Sequence, residues 1–232
     1  YKRQFEDGGE LDMDMYPDGG RLPYDDEFED RETNAAVLQG FTLQNGDGKY
    51  AVPDVNGTFY TYGGCIYCKG SSPIIKDLII TNNTGDEGGG GGIFCYEASP
   101  IITGCLITNN TTNDVGGGLY IRNESNVMIS NTNFVSNEAD LGAGCYLRSE
   151  AVPTLTNVEF ISNVAANSGG AIVLKDNADA IMNQVIMVDN IAEGLGGGLY
   201  VNNADPSLDY VLAFGNISSA GGGVYIIYPN TN

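Results

Sequence analysis

Cys65 and Cys68, spaced C-x-x-C in the stretch CIYC, are the first residues whose types and spacing could do chemistry. That chemistry would be zinc binding, which takes four ligands. The chain has no histidine, so Cys95, Cys105 or Cys145 would have to converge on the pair. Five cysteines form an odd and sparse set rather than a disulfide framework, and buried thiols are the expected outcome. Asp12, Asp14 and Asp18 in DMDMYPDGG offer carboxylates for calcium, the one cofactor the residues suggest. An EF-hand loop, however, needs an acid or asparagine where Tyr16 stands and glycine where Pro17 stands. An arm that caps or docks competes with the calcium reading.

The bulk properties narrow the partners. A net charge of −20, from 10 basic against 30 acidic residues, leaves no basic footprint for nucleic acid and disfavours an anionic membrane surface. No apolar run approaches the roughly 18 residues of a membrane span, so no membrane insertion is expected. The chain starts at Tyr1 without a signal-like segment, which reads as a mature product or a fragment. With 42% hydrophobic residues the chain can build a core, and its 33 glycines ask for many tight turns.

The elements that must carry any site show themselves as a repeat. The apolar residues Ile66, Ile93, Leu119, Cys145, Ile172, Leu199 and Val224, each two places after the middle of a glycine-rich triplet, recur at intervals of 27, 26, 26, 27, 27 and 25. Asn83, Asn110, Asn137, Asn163, Asn190 and Asn216 keep the same period at 27, 27, 26, 27 and 26. Two independent marks on one period define a solenoid. Each unit holds an alternating strand, as in GGGLYI, then a second apolar stretch with three columns. These columns begin at Ile75, Leu78 and Ile80. The step of three from Ile75 to Leu78 implies a bend, because a flat strand steps by two. The asparagines fit a stacked side-chain ladder or a left-handed turn position, and both readings are structural.

The motif GGAI at Gly169–Ile172, with FVSN ending at Asn137 and FISN ending at Asn163, resembles the GGA[ILV] and FxxN repeats of polymorphic outer membrane proteins. More broadly, residues 34–232 are similar to right-handed parallel β-helix repeat proteins of bacterial surfaces, in the pectin-lyase-like fold group. The resemblance implies an all-β fold, a right-handed parallel β-helix of about seven coils with a repeat of about 26 residues. It leaves function open, since the architecture serves adhesins, enzymes and phage tailspikes alike. A polysaccharide lyase needs a basic residue beside acidic calcium ligands, and a hydrolase needs paired carboxylates across a groove. Asp77, Glu159 and Asp209 are isolated in different coil positions, and Lys76, Arg122, Arg148 and Lys175 do not fall in phase with them. No catalytic residue is assigned and no enzyme is expected. An ice-binding threonine array is not expected either, because Thr81 and Thr108 give way to Val135 and Ile161.

Three surfaces remain. Residues 1–33 form an acidic extension, and residues 46–62 a loop insertion carrying Tyr50, Phe59, Tyr60 and Tyr62. An outward column of Tyr67, Phe94, Tyr120, Tyr146, Tyr200 and Tyr225 is expected either to stack within its own sheet or to meet carbohydrate or a partner chain. Glycosylation sequons stand at Asn56, Asn82, Asn109, Asn110, Asn123 and Asn216, on corners expected to be exposed. The solenoid opens on a second-type segment, with Val37, Leu38 and Phe41, and closes on a first-type segment, with Val224, Tyr225 and Ile226. Head-to-tail docking of copies would complete a coil across that junction. The expectation is therefore a secreted, non-enzymatic structural protein of an extracellular filament or surface assembly. The alternatives are a fragment of a cell-surface adhesin or a carbohydrate-binding β-helix.

Overall fold

The computed structural model describes residues 36–48, 52–53, 59–60, 62–86 and 88–228. Contacts part the chain into two units between Asn34 and Ala35. Everything described belongs to the second unit. Asp12, Asp14 and Asp18 lie outside the described residues, as do Tyr50 and Asn56.

The coils stack as parallel strands in three sheets. The seven-stranded sheet runs from Ile66–Lys69 to Val224–Ile227, one strand per coil, so the described residues wind through about six to seven coils. Its inner column pairs Ile66, Ile93, Leu119, Cys145, Ile172, Leu199 and Val224 in unbroken register. The eleven-stranded sheet carries the second apolar stretch, from Val37–Gln39 through Met128–Val135 to Leu212–Phe214. In it Leu38, Ile75, Ile102, Ile129, Leu155, Met182 and Leu208 are direct neighbours, coil on coil. Parallel strands lie about 4.8 Å apart, so each column packs like against like. Phe134 and Phe160, both fully buried, stack at 4.8 Å with an interplanar angle of 8°.

The bend inferred from the step of three is a column of left-handed residues. Asp77, Asn131, Asn157, Gln184 and Tyr210 all have φ between 48° and 54°, and Gly40 and Gly104 hold the same place. A single left-handed residue turns the strand and lets both Ile75 and Leu78 face the core.

A third sheet, five strands from Thr84–Gly85 to Ile191–Ala192, completes each coil. It buries small residues, among them Ala139, Ala165 and Ala192. The glycine turns press against it. A Cβ on Gly117 would meet the Glu138 carbonyl oxygen at 2.4 Å. Gly116, which opens the turn at φ +69°, has no room for a Cβ either, with Leu119 O at 2.6 Å.

The asparagine series is a side-chain ladder, and the left-handed turn falls one residue earlier, at Asn82, Asn109, Ser136, Ser162 and Asp189. Each Nδ2 donates to the next Oδ1: Asn83 to Asn110 at 2.8 Å, Asn110 to Asn137 at 3.0 Å, Asn137 to Asn163 at 3.0 Å. Asn163 to Asn190 at 2.9 Å and Asn190 to Asn216 at 2.8 Å continue it. The second Nδ2 hydrogen goes to a carbonyl of the coil before, Ile107 O for Asn137. Each Oδ1 also accepts a backbone N–H, that of Asn110 for Asn137. Asn137 thereby makes all four bonds an amide can make, which is why it can sit with no exposure.

Candidate functional site

The outward aromatic column exists in register, but most of it is not available to a ligand. Phe94, Tyr120 and Tyr146 are 1%, 3% and 2% exposed. Val115, Tyr62 and Leu141 of the same chain pack over them. Val115 and Leu141 stand just before the glycine turns and pair with each other in a parallel bridge. The rings satisfy one another, Phe94 to Tyr120 at 5.0 Å and Tyr120 to Tyr146 at 5.3 Å, both edge-on. Burial raises the Tyr120 and Tyr146 hydroxyls above the ordinary tyrosine range. The ligand reading is corrected for these three residues. Tyr200 and Tyr225 are half-buried and stack on each other at 5.8 Å. Only Tyr67, 42% exposed, keeps a substantial open surface. Within the insertion, Val52–Pro53 pairs antiparallel with Phe59–Tyr60, and the ring of Tyr62 lies on Phe94 at 4.5 Å.

Beside this column runs a charged one that the phase argument missed. Arg122, Arg148 and Lys175 occupy one register position on successive strands, and Tyr96 precedes them. Lys69 and Arg122 sit 5.5 and 5.4 Å from the Tyr96 ring centre. Arg148 pairs with Asp176 at 3.3 Å. The turn that follows forms an open polar groove of about 670 Å³ lined by Glu97, Ser99, Arg122, Asn123, Glu124, Ser149 and Glu150. Asp114, another residue absent from the sequence reading, is half-buried next to Asp140. Burial first and the Asp140 carboxylate second raise its carboxyl, while Arg148 lowers it. Asp77, Glu159 and Asp209 remain apart, in three different coils and columns, with Asp77 contacting Lys76 at 3.8 Å.

The sequons separate by burial. Asn82 and Asn109 are exposed corners, and Asn123 is half-buried. Asn110 is corrected: it is fully buried with its Nδ2 engaged in the ladder, so no glycan can reach it. Asn216 is half-buried, with its Nδ2 on Met187 O and its Oδ1 accepting from Asn190.

The thiols are distributed through the wall. Cys68, Cys95, Cys105 and Cys145 are buried, and Cys65 is half-buried. Cys105 donates to Thr103 O at 3.4 Å. Burial raises Cys65 to about 11. Among the described residues no three of His, Cys, Asp or Glu gather in a metal-holding group.

The first and last described coils are less buried than the middle ones. Where middle coils bury Ile172, Leu174 and Met187 completely, the last coil leaves Val224 39% and Ile226 53% exposed. At the other end Phe41 is 44% exposed and Leu38 half-exposed. Val37 and Tyr225 lie on the outer side of their strands rather than on the interior columns, since the alternation places Leu38, Val224 and Ile226 inward. Sequence reading also missed the outer face of the eleven-stranded sheet, where Met128, Ile181, Leu212 and Phe214 stay exposed. Its signal was the apolar residue recurring next to each inward one.

The coil geometry is that of a known family. The family model described as a right handed beta helix region matches residues 41–212, and the chain belongs to that family. The finer likeness to polymorphic outer membrane proteins rests on the GGAI and FxxN residues alone. Comparison with curated proteins and with solved structures found no match.

Proposed function

We propose that the protein is a non-enzymatic structural building block that stacks head-to-tail with copies of itself in an extracellular filament or surface assembly. The observation that supports this reading is the exposed apolar residues of the first and last described coils, Phe41, Val224 and Ile226, which lie on interior columns that continue each other. A second copy would set Leu38 on Leu208, Leu43 on Ala213 and Ile66 on Val224, by the register that joins every internal pair of coils. Such strands add backbone pairing and bury the exposed apolar residues. One element is not completed. Asn216 directs its N–H and a free Nδ2 hydrogen toward the next coil, where a copy brings Gly46. A Cβ there would meet Gly64 O at 2.2 Å, so water must take the acceptor's place. The junction is therefore weaker than an internal coil step and opens on dilution without unfolding.

Two variants test the polarity by sedimentation velocity. Ile226→Asp charges the tail and Phe41→Asp the head. Head-to-tail stacking requires each variant alone to be monomeric and their equimolar mixture to form a dimer that grows no further. A tail-dead variant that still self-associates, or a mixture that stays monomeric, overturns the reading.

A second reading, carbohydrate binding by an adhesin, is favoured by the Tyr96 ring beside Arg122 and the polar groove that follows it. Chemical-shift changes at these residues on titration with acidic oligosaccharides would support it, and their absence at millimolar sugar would remove it.

A further inference from the structure

Cys68 and Cys95 stand directly opposite each other on the first two strands of the seven-stranded sheet. Both are buried, at 3% and 0% exposure, and both point into the core. The two thiols are close enough that each shifts the other's titration. In the same column the next coils carry Ile121 and Leu147, so the thiol pair occurs once, between the first coil and the second. Directly paired parallel strands put α-carbons about 4.8 Å apart, inside the window of about 4.4–6.8 Å that a disulfide spans.

We infer that Cys68 and Cys95 are a modification site, closing to a reversible disulfide that staples the first coil to the second. The inference stands independently of the proposed assembly. The reaction needs an oxidant, and a small-molecule disulfide supplies it. The Cys68 thiolate attacks one sulfur of the reagent, forming a mixed disulfide and expelling one thiolate, which takes up a proton. The Cys95 sulfur then displaces the second reagent thiol, leaving the Cys68–Cys95 bond. Two cysteine thiols are oxidised, the reagent disulfide is reduced to two thiols, and the protons are conserved between them.

The order of attack follows from the pair itself. The neighbouring Cys95 thiol lowers Cys68, favouring its thiolate, while the Cys68 thiol and full burial raise Cys95. Cys68 also lies in the first described coil, and half-buried Leu38, Leu43 and Cys65 pack against the core there. The remaining thiols lack such a partner. Cys105 bonds to backbone carbonyls, and Cys145 is raised by burial. Cys65 shares the C-x-x-C spacing with Cys68 but precedes the strand and has no paired cysteine opposite. A bond drawn across strands about 4.8 Å apart pulls β-carbons closer than the sheet holds them, and strained disulfides are the easily reduced ones.

The test uses the whole protein, dilute and native, incubated with oxidised glutathione. Free thiols are alkylated, the chain is digested without reduction, and linked peptides are identified by mass. The expected result is one Cys68–Cys95 link, a loss of two thiols per chain, a thermal midpoint several degrees higher than that of the reduced protein, and full reversal by dithiothreitol. Cys95→Ala should trap glutathione on Cys68 and abolish the midpoint shift. A Cys65–Cys68 link, a stable mixed disulfide in the wild-type chain, or no thiol loss would each overturn the inference. Mapping the wild-type protein decides the matter even if a variant fails to fold.

Discussion

Removing the Asn137 side chain should cut the stack near its middle. Asn137→Ala deletes an amide that accepts from Asn110 N and Nδ2, both at 3.0 Å, and donates to Ile107 O and Asn163 Oδ1, both at 3.0 Å. Two donors and one carbonyl are orphaned, since Asn163 Oδ1 still accepts the Asn137 N–H. At about 1–3 kcal/mol for each unsatisfied buried group the upper bound is about 3–9 kcal/mol. Water admitted to the polar hole recovers part of this, leaving an expected loss of about 3 kcal/mol. The control is Asn157→Gly, which keeps the left-handed backbone and removes an exposed amide that bonds only Asn131. It should cost under about 1 kcal/mol. Equilibrium unfolding in urea, followed by far-ultraviolet circular dichroism and by fluorescence of the 14 tyrosines, reads both variants. Because a solenoid's cooperativity passes from neighbour to neighbour, Asn137→Ala should also split the transition in two. A loss below about 1 kcal/mol, equal to the control, would refute the structural role of the ladder.

Phe160→Ala removes a fully buried ring stacked on Phe134 and should lower unfolding free energy by about 3–5 kcal/mol in the same urea titration. Gly144→Ala forces a Cβ to 2.6 Å from both Ala171 O and the Phe160 ring, and calorimetry should show a clear drop in melting temperature. For Asp114 the folded carboxyl is raised, so its stabilising contribution is present at acid pH and fades as pH rises through the folded value. Asp114→Asn should accordingly melt higher than the wild type at neutral pH, with the gap closing in acid. With a net charge of −20 on every copy, end-to-end association should strengthen as salt screens repulsion. Sedimentation across a sodium chloride series checks the sign, and weakening by salt would mean a charge-paired interface instead.

What the sequence displayed and what it hid have physical causes. The columns headed by Ile66, Ile75 and Ile80 were legible because their inner positions mostly hold bulky apolar residues at a nearly constant period. The bend was legible too, since Ile75 and Leu78 cannot both face inward along a flat strand. The third sheet was not, because its inner places carry Gly85, Thr112 and Ala139, too small to stand out as an apolar stripe. The asparagine ladder was visible as a series, but only the backbone decides that Asn109 takes the left-handed turn and Asn110 the interior. The fate of the aromatic column depended on Val115 and Leu141, whose packing against the rings is a tertiary contact. Arg122, Arg148 and Lys175 escaped notice as a column because they were weighed against acids elsewhere in the coil rather than against one another.

Electron cryo-microscopy of the concentrated protein tests most directly whether copies continue one another's coils. Head-to-tail stacking predicts filaments in which a spacing of about 4.8 Å runs unbroken through every junction, with Leu38 of one copy over Leu208 of the next. Separate particles of one copy each, at concentrations where the ends should meet, would contradict it.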